Sequence, residues 1–448
     1  MRCSGWFAVG VNGLVSVLLA TGCDTEVPIG PEEDGGSGEI DGSTGGAFGT
    51  GGAFGTGGSD LQGYEAYHDP GTGPWQVGSE ADCKMDTSLF DDRDVDNYAV
   101  FRYGLLCHQK GSDRLASSNY SATKTLAGVA VGRAAFLARD VPRTGPGTGP
   151  IQLEDLGSDW ITGPGYRNRN ATVEHIMSMV ADASRSLDDS DLTFEYDTVG
   201  SQAINELIPA IERCASQVPG VADEMVDFVE TEIFDELGMA GSSYNTALGV
   251  ASGWRSTLDD MGRLGTMLAH GGYYNGKFLV DPAWVYRMSH PAFENANTSY
   301  GLLTWLNHRG NAEGIGGNIS SGSNARFGDP CAPAAFWPSY PHGQSEALDC
   351  LAEQGSCAQT HDVGVFSAQG LGGQFVVVHP GLDLVIVAHN FGGGDGPLGL
   401  WRAVRPGLVA MDPVFQGDEA GFCEAYGAGD YAPDLLVPRS ASGLVGGL

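Results

Sequence analysis

The alternation of apolar and polar residues predicts β-strands near both ends of the chain. Two β-rich runs on either side of Gly104 predict a hairpin over Tyr98–His108. Towards the other end, strands are predicted for Ser299–Trp305, Gly364–Val378 and Asp383–His389. The sheet-forming segments therefore lie near the two ends of the chain.

The residues between the strands have the period of helices. After Ser121, five apolar residues recur at helical spacing and predict a helix with one apolar face: Leu126, Val129, Ala130, Phe136 and Leu137. Further helices are predicted at Ala171–Ser186, Ala203–Cys214, Val226–Leu237, Leu258–Ala269 and Leu398–Val409. Strands, then many helices, then strands indicate an α/β fold of the α+β type. We expect an antiparallel sheet formed by both chain ends, flanked by helices, with a mostly helical region inserted.

The first 60 residues have the composition of an export signal followed by a tether. Residues 1–23 combine a basic start with a short apolar run that ends at Cys23. The segment Leu19-Ala-Thr-Gly-Cys23 resembles a bacterial lipobox, in which Cys23 would be lipidated, although Ala20 replaces the usual Leu, Val or Ile. Residues 24–60 hold a glycine run with too little apolar surface to fold, which predicts a flexible tether. We expect a lipid-anchored protein of the bacterial cell envelope, with a secreted protein as the alternative.

One large domain is predicted for residues 61–438, with a tail at 439–448. A Gly-, Pro- and Cys-rich insertion at 307–363 either overhangs the cleft or lies on the surface away from it. The chain carries 56 Asp and Glu against 23 Lys and Arg, so its surface repels polyanions. Nucleic acid is therefore not an expected partner.

The nine cysteines favour disulfides rather than a metal site. Cys331, Cys350 and Cys357 lie together in the insertion and are the first candidates, and Cys83 with Cys107 is a second candidate pair. Export and lipidation leave an odd number, so at least one thiol stays unpaired within the chain. No Cys-x-x-Cys or His-Glu-x-x-His spacing supports zinc.

Ser121-Ala-Thr-Lys124 places a serine at the start of the first helix and a lysine one turn later. Residues three apart on a helix share a side, so the Lys124 amine can reach the Ser121 hydroxyl. A serine becomes a nucleophile when an adjacent base takes its proton. A lysine serves as that base where burial or a neighbouring cation lowers its pKa. The alternative is a helix start with a solvated lysine, because Ser-x-x-Lys is frequent by chance.

Further motifs follow Ser121-Ala-Thr-Lys124 in order along the chain: Tyr196-Asp-Thr198, Phe234–Met239, Gly253–Asp260 and Gly370-Leu-Gly-Gly-Gln374. With them, residues 96–412 resemble the penicillin-recognising serine hydrolases. This family includes class C β-lactamases, D-alanyl-D-alanine carboxypeptidases, family VIII esterases and 6-aminohexanoate-dimer hydrolases. The last motif is most similar to the 6-aminohexanoate-dimer hydrolase branch.

The resemblance implies a role for each matching residue. Ser121 would be the acylated nucleophile, Lys124 would take or relay its proton, and Tyr196 would pass that proton to the leaving group. The backbone N–H groups of Ser121 and Leu371 would form the oxyanion hole, with Gly370 letting the strand approach the substrate closely. This chemistry needs no metal and no organic cofactor.

Two departures from the family pattern bear on the substrate. Thr198 stands where Asn is usual, so a hydroxyl replaces a side-chain amide that contacts substrate. Ala368 stands where penicillin-binding members carry a Lys or His that binds the substrate carboxylate. The absence of that cation favours cleavage of an ester or amide bond in a small-molecule or peptide-like substrate with a neutral or differently anchored acyl group. The alternatives are a β-lactamase or D-Ala-D-Ala carboxypeptidase, and a catalytically inactive envelope binding or scaffold domain on the same fold.

The histidines give no sign of a Ser-His-Asp triad. The chain has no Gly-x-Ser-x-Gly nucleophile elbow. His379 and His389 lie on or beside predicted strands, and we expect each to be structural rather than catalytic.

Overall fold

A computed structural model of the chain describes residues 68–93, 95–111, 116–161, 170–181, 192, 194, 196, 203–290, 292–293, 296, 300–306, 366–380, 383–392 and 396–408. Several predicted features lie outside the described residues: the signal, Cys23, the tether, Thr198, the insertion with Cys331, Cys350 and Cys357, and the tail.

The described strands and helices come in runs along the chain, with most of the helices between β3 and β8. The strands are β1 (Tyr98–Arg102), β2 (Leu105–Lys110), β3 (Ser117–Ser118), β4 (Ser243–Tyr244), β5 (Trp254–Ser256), β6 (Tyr273–Tyr274), β7 (Lys277–Phe278), β8 (Trp305–Leu306), β9 (Phe366–Gly370), β10 (Gln374–His379) and β11 (Leu384–Ala388). The helices are α1 (Glu80–Cys83), α2 (Thr123–Leu137), α3 (Gly157–Trp160), α4 (Val173–Met177), α5 (Leu207–Ala215), α6 (Met225–Val229), α7 (Asp235–Leu237), α8 (Leu258–Ala269), α9 (Pro282–Met288) and α10 (Pro397–Val404).

The main sheet contains strands from both ends of the described chain, as predicted. Its order is β2-β1-β11-β10-β9-β8, and every neighbouring pair is antiparallel. The hairpin β1–β2 turns at Tyr103 and Gly104, which both have positive φ. The helices between β2 and β8 in sequence form the inserted region, so the predicted α+β architecture is confirmed.

The strands at the centre of this sheet are covered on both faces, which explains their continuous apolar sequences. On one face, α8 packs closely because it presents glycines to the sheet. A Cβ added to Gly265 would lie 2.4 Å from Val385, and one added to Gly262 would lie 2.3 Å from Phe101. On the other face, α10 brings Trp401 to 5.7 Å from the His379 ring, measured between ring centroids.

Helix α2 is buried on all sides rather than along one face. Every residue from Thr123 to Ala134 is buried, including the charged Lys124 and Arg133. Arg133 is neutralised by Glu232, with 2.9 Å between the guanidinium and the carboxylate. The prediction of a single apolar face was wrong, because the helix carries small or apolar residues on every side and elements distant in sequence enclose it.

Three predicted boundaries were also wrong. Of the predicted helix Ala171–Ser186, the structure describes residues 171–181, and in these only α4 is helical, because Thr172 caps its start and Met179 adopts a positive φ of 60° just after its end. In place of a strand over Ser299–Trp305, the chain turns, with Leu303 at a φ of 55°, and only Trp305–Leu306 joins the sheet. The predicted strand Gly364–Val378 is a hairpin of two strands, β9 and β10.

The cysteine prediction is confirmed where the structure describes it. Cys83 and Cys107 form a disulfide that ties α1 to β2. Cys214 is a buried free thiol on α5, and burial raises its pKa to about 11. Within the described residues, no helix is both long enough and apolar enough to span a bilayer.

Candidate active site

The turn that carries Ser121 connects the short strand β3 to the long helix α2. Tyr120 adopts a left-handed φ of 46°, which few residues other than glycine tolerate without strain. This sharp bend leads into a single 3₁₀ turn, Tyr120–Ala122, in which Ser121 remains partly exposed. The serine therefore stands at the surface end of a buried helix.

The structure brings Ser121 and Lys124 into direct contact. Lys124 Nζ lies 2.9 Å from Ser121 Oγ, as expected for residues three apart at a helix start. Lys124 is only 3% exposed. Buried lysines are normally paired with a carboxylate. Among the described residues, no Asp or Glu forms an ion pair with Lys124, and the serine hydroxyl occupies that place.

Tyr196 lies beside the same amine. Lys124 Nζ sits over the face of the Tyr196 ring, 4.6 Å from its centroid. Among the described residues, the Tyr196 hydroxyl has no hydrogen-bond partner. The ring packs in an aromatic cluster with Phe194, Tyr300 and Trp305. This cluster removes water from one side of the lysine, and burial raises the pKa of the Tyr300 hydroxyl, so that this phenol stays neutral.

The turn between β9 and β10 reaches the serine turn from the main sheet. A Cβ on Gly370 would lie 2.0 Å from the Asn119 carbonyl oxygen, so only glycine permits this approach. Gly372 and Gly373 follow with φ of 77° and 82°, which turn the chain back into β10. Leu371 lies at the tip with its side chain 75% exposed. Residues 370–371 and 119–121 are thus neighbours, as the predicted oxyanion pair of Ser121 and Leu371 requires.

Where penicillin-binding serine hydrolases carry a cationic side chain, this chain has short or neutral side chains. Ala368 is buried on β9. The amide of Gln369 donates to Ser367 Oγ at 3.0 Å, along its own strand. Two of the large apolar side chains exposed on the described surface, Tyr120 and Leu371, flank the serine instead. The rim of the site is therefore apolar and uncharged at these positions.

Sequence reasoning missed a set of polar residues behind the site. His389 follows β11, with Nδ1 2.7 Å from Gln374 Oε1 and Nε2 3.0 Å from the Ser256 carbonyl. Asn119 Nδ2 donates to Ser256 Oγ at 2.6 Å. Burial lowers the pKa of His389 to about 4, and the Ser256 carbonyl partly offsets this shift. Ser256 lies 133 positions from His389 and 137 from Asn119 in sequence, so no local pattern could have identified these contacts.

The contact between Lys124 and Ser121 could activate the serine, and the neighbouring backbone could stabilise an oxyanion. Among the described residues, no group of three His, Cys, Asp or Glu could hold a metal ion. A lysine amine on a serine hydroxyl, beside two backbone segments that can present N–H groups, is an arrangement suited to acyl transfer.

Comparison with known proteins gave matches among solved structures only. No family model and no curated protein matches this chain. A Bacillus anthracis protein, provisionally assigned as a 6-aminohexanoate-dimer hydrolase, is 14% identical, with a TM-score of 0.45; the match covers 82% of this chain and 89% of that one. The neighbours are penicillin-recognising serine hydrolases.

Two further matches illustrate the range of these neighbours. A β-lactamase from Mycobacterium bovis is 17% identical, with a TM-score of 0.41, covering 69% of this chain and 91% of that one. A penicillin-binding protein homologue from Caulobacter crescentus is 14% identical, with a TM-score of 0.42, covering 71% and 94%.

Proposed function

We propose that this protein is a serine hydrolase that cleaves an ester or amide bond through an acyl-enzyme. The observation that carries the proposal is the 2.9 Å contact between Ser121 Oγ and Lys124 Nζ, with the lysine buried. This geometry places the amine nitrogen where it can receive the proton of Ser121 Oγ. A purely structural lysine would be expected to have a carboxylate partner.

The proposed reaction has two balanced halves. Ser121 Oγ bonds to the substrate carbonyl carbon while its proton passes to a neutral Lys124 amine. The backbone N–H groups of Ser121 and Leu371 stabilise the oxyanion. The leaving group departs with that proton, relayed by Tyr196, and leaves an ester on Ser121. Water then attacks this ester, the bond between the acyl carbon and Ser121 Oγ breaks to release the acid, and the proton of the water returns to Oγ along the same groups.

The rim of the site favours an uncharged, apolar acyl group. A substrate carboxylate would find no cation at Ala368, whereas Tyr120 and Leu371 offer apolar surface on either side of the serine. Burying apolar substrate surface there is favourable in proportion to its area. These residues support an esterase or amidase rather than a β-lactamase or D-Ala-D-Ala carboxypeptidase.

The direct test is to locate the reactive serine chemically. We expect a fluorophosphonate probe to modify the full-length protein at Ser121, identified by digestion and mass spectrometry. Ser121→Ala should abolish labelling, and Ser118→Ala, a nearby serine on β3, should not. An adduct on a different serine, or none at all, would contradict the proposal and favour the inactive scaffold.

The substrate preference predicts a ranking of rates. We expect p-nitrophenyl esters of four- to eight-carbon fatty acids, lengths of about 5 to 10 Å, to be hydrolysed with a kcat/KM about 10-fold or more above that for the ester of succinic acid. The succinyl ester carries a carboxylate on an acyl chain of comparable length and serves as the matched control. A cephalosporin hydrolysed faster than the apolar esters would instead support the β-lactamase alternative.

A further inference from the structure

The serine turn and the Leu371 turn belong to different sheets. The serine turn follows β3, which pairs with β5 in a three-stranded sheet. The Leu371 turn joins β9 to β10 in the six-stranded sheet. An oxyanion hole built from one N–H of each turn works only if the two sheets are held at a fixed separation, since such donors must lie within hydrogen-bond distance of one oxygen.

His389 connects the two sheets through its side chain. Its Nε2 contacts the carbonyl of Ser256 on β5, and its Nδ1 contacts the amide of Gln374, the first residue of β10. Both partners are buried, and His389 is only 2% exposed. Solvent therefore cannot replace either contact at low cost.

Each end of this bridge continues to one of the two turns. On the three-stranded sheet, Ser256 Oγ accepts from the side chain of Asn119, two residues before Ser121. On the main sheet, Gln374 pairs in register with Gly370, and its amide nitrogen lies 3.2 Å from the Gly372 carbonyl. Movement of the ring would therefore be transmitted to both turns.

The bond to Ser256 persists in either charge state of the ring, because a carbonyl can only accept and Nε2–H donates to it in both states. An imidazolium also donates from Nδ1 to Gln374 Oε1. A neutral ring accepts at Nδ1 instead, so the Gln374 amide must turn over to donate to it, and the amide nitrogen then leaves the Gly372 carbonyl and Asn390 Oδ1. Gln374 remains linked to the Leu371 turn through its backbone pairing with Gly370.

We propose that His389 is a positioning residue that holds the Leu371 turn and the Ser121 turn at the separation an oxyanion hole needs. The inference rests on the proposed function for its catalytic consequence, but its structural content can be measured without any substrate. His389 itself touches neither nucleophile nor substrate, so its effect is on geometry and is transmitted through Gln374 and Ser256.

The test uses three substitutions at His389 and one matched control. His389→Leu removes both contacts while retaining most of the volume. His389→Asn keeps a polar group near the Nδ1 position and His389→Gln near the Nε2 position, so each retains one contact. The control is His379→Leu, which replaces a buried histidine at the opposite end of the same β10–β11 hairpin and leaves the bridge intact.

We expect hydrogen exchange in full-length His389→Leu to rise about tenfold or more in peptides spanning 117–123 and 366–374, with the rest of the domain little changed. Ester hydrolysis should lose about 10- to 100-fold in kcat, because a displacement of about 1 Å has that effect, while KM changes less than about threefold. His389→Asn and His389→Gln should recover part of both effects. If exchange rises throughout the domain in His389→Leu, the test rests on whether His389→Asn and His389→Gln raise exchange mainly in the two turns.

Unchanged exchange in both turns would overturn the proposal, as would equal changes in kcat and local exchange in His379→Leu. If exchange rises locally in His389→Leu while the wild-type protein shows neither hydrolase activity nor labelling at Ser121, the bridge is supported and the proposed function is refuted. The two failures are therefore distinguishable.

Discussion

Replacing Lys124 by methionine is expected to slow acylation of Ser121 by about 10³- to 10⁴-fold while the protein remains folded. Methionine has a similar unbranched length, so it fills the buried space at the start of α2 without leaving a cavity. It offers no nitrogen to receive the proton of Ser121 Oγ, which now lies 2.9 Å from the amine. The rate of fluorophosphonate labelling and kcat/KM for ester hydrolysis should fall together.

An arginine at the same position distinguishes a lysine that accepts a proton from one that acts only through its positive charge. A guanidinium stays protonated in proteins, so Lys124→Arg supplies a cation but cannot accept a proton. We therefore expect Lys124→Arg to be about as slow as Lys124→Met. Substantial activity in the arginine variant would mean that the lysine acts through its charge, and a normal labelling rate in the methionine variant would mean that another group is the base. Thermal unfolding of each variant checks that the domain is folded.

The parts of the site that could be predicted from sequence are those set by local geometry. Helical spacing alone places Lys124 on the same side as Ser121, and the contact between them follows from it. The hairpin β1–β2 and helix α8 were likewise predicted close to their observed bounds, because each has a clear period and a turn or capping residue at its ends.

The parts that could not be predicted depend on contacts between distant segments. Helix α2 carries small or apolar residues on every side, a sign of full burial that the search for one apolar face passed over, but the helices and the sheet that enclose it could not be named from the sequence. The approach of Gly370 to Asn119 involves the two sheets, and the reason for a glycine there appears only once both are in place. His389 could be placed on a strand end from the sequence, but its partners could not be named.

Lowering the pH should destabilise the protein through His379, the second buried histidine of the β10–β11 hairpin. Burial is the main cause that lowers the pKa of His379 to about 3, and the guanidinium of Arg102 adds to the shift. Neither ring nitrogen has a hydrogen-bond partner among the described residues, and the side chain is 1% exposed. The native protein therefore holds this ring neutral under conditions in which the unfolded chain protonates it.

The direction of the effect follows from proton uptake by the unfolded chain. Above pH 6.5, the ordinary pKa of a histidine, both states are neutral and His379 does not make stability pH-dependent. Between this pH and about 3, only the unfolded chain binds the proton, so the free energy of unfolding falls by roughly 1.4 kcal/mol per pH unit. At pH 5 the loss is about 2 kcal/mol, a large part of the ~5–15 kcal/mol that stabilises a typical domain.

His379→Leu isolates this contribution. Urea unfolding of both proteins at pH 7.5 and pH 5.0 gives two differences in the free energy of unfolding, one at each pH. The packing change caused by leucine beside Trp401 enters both differences and cancels when they are compared. Other titrating groups, such as Asp260, whose pKa burial raises, are common to both proteins and cancel as well. We expect the variant to gain about 2 kcal/mol relative to wild type on going from pH 7.5 to 5.0. Identical pH dependence in the two proteins would show that His379 is protonated in the native state as readily as in the unfolded chain.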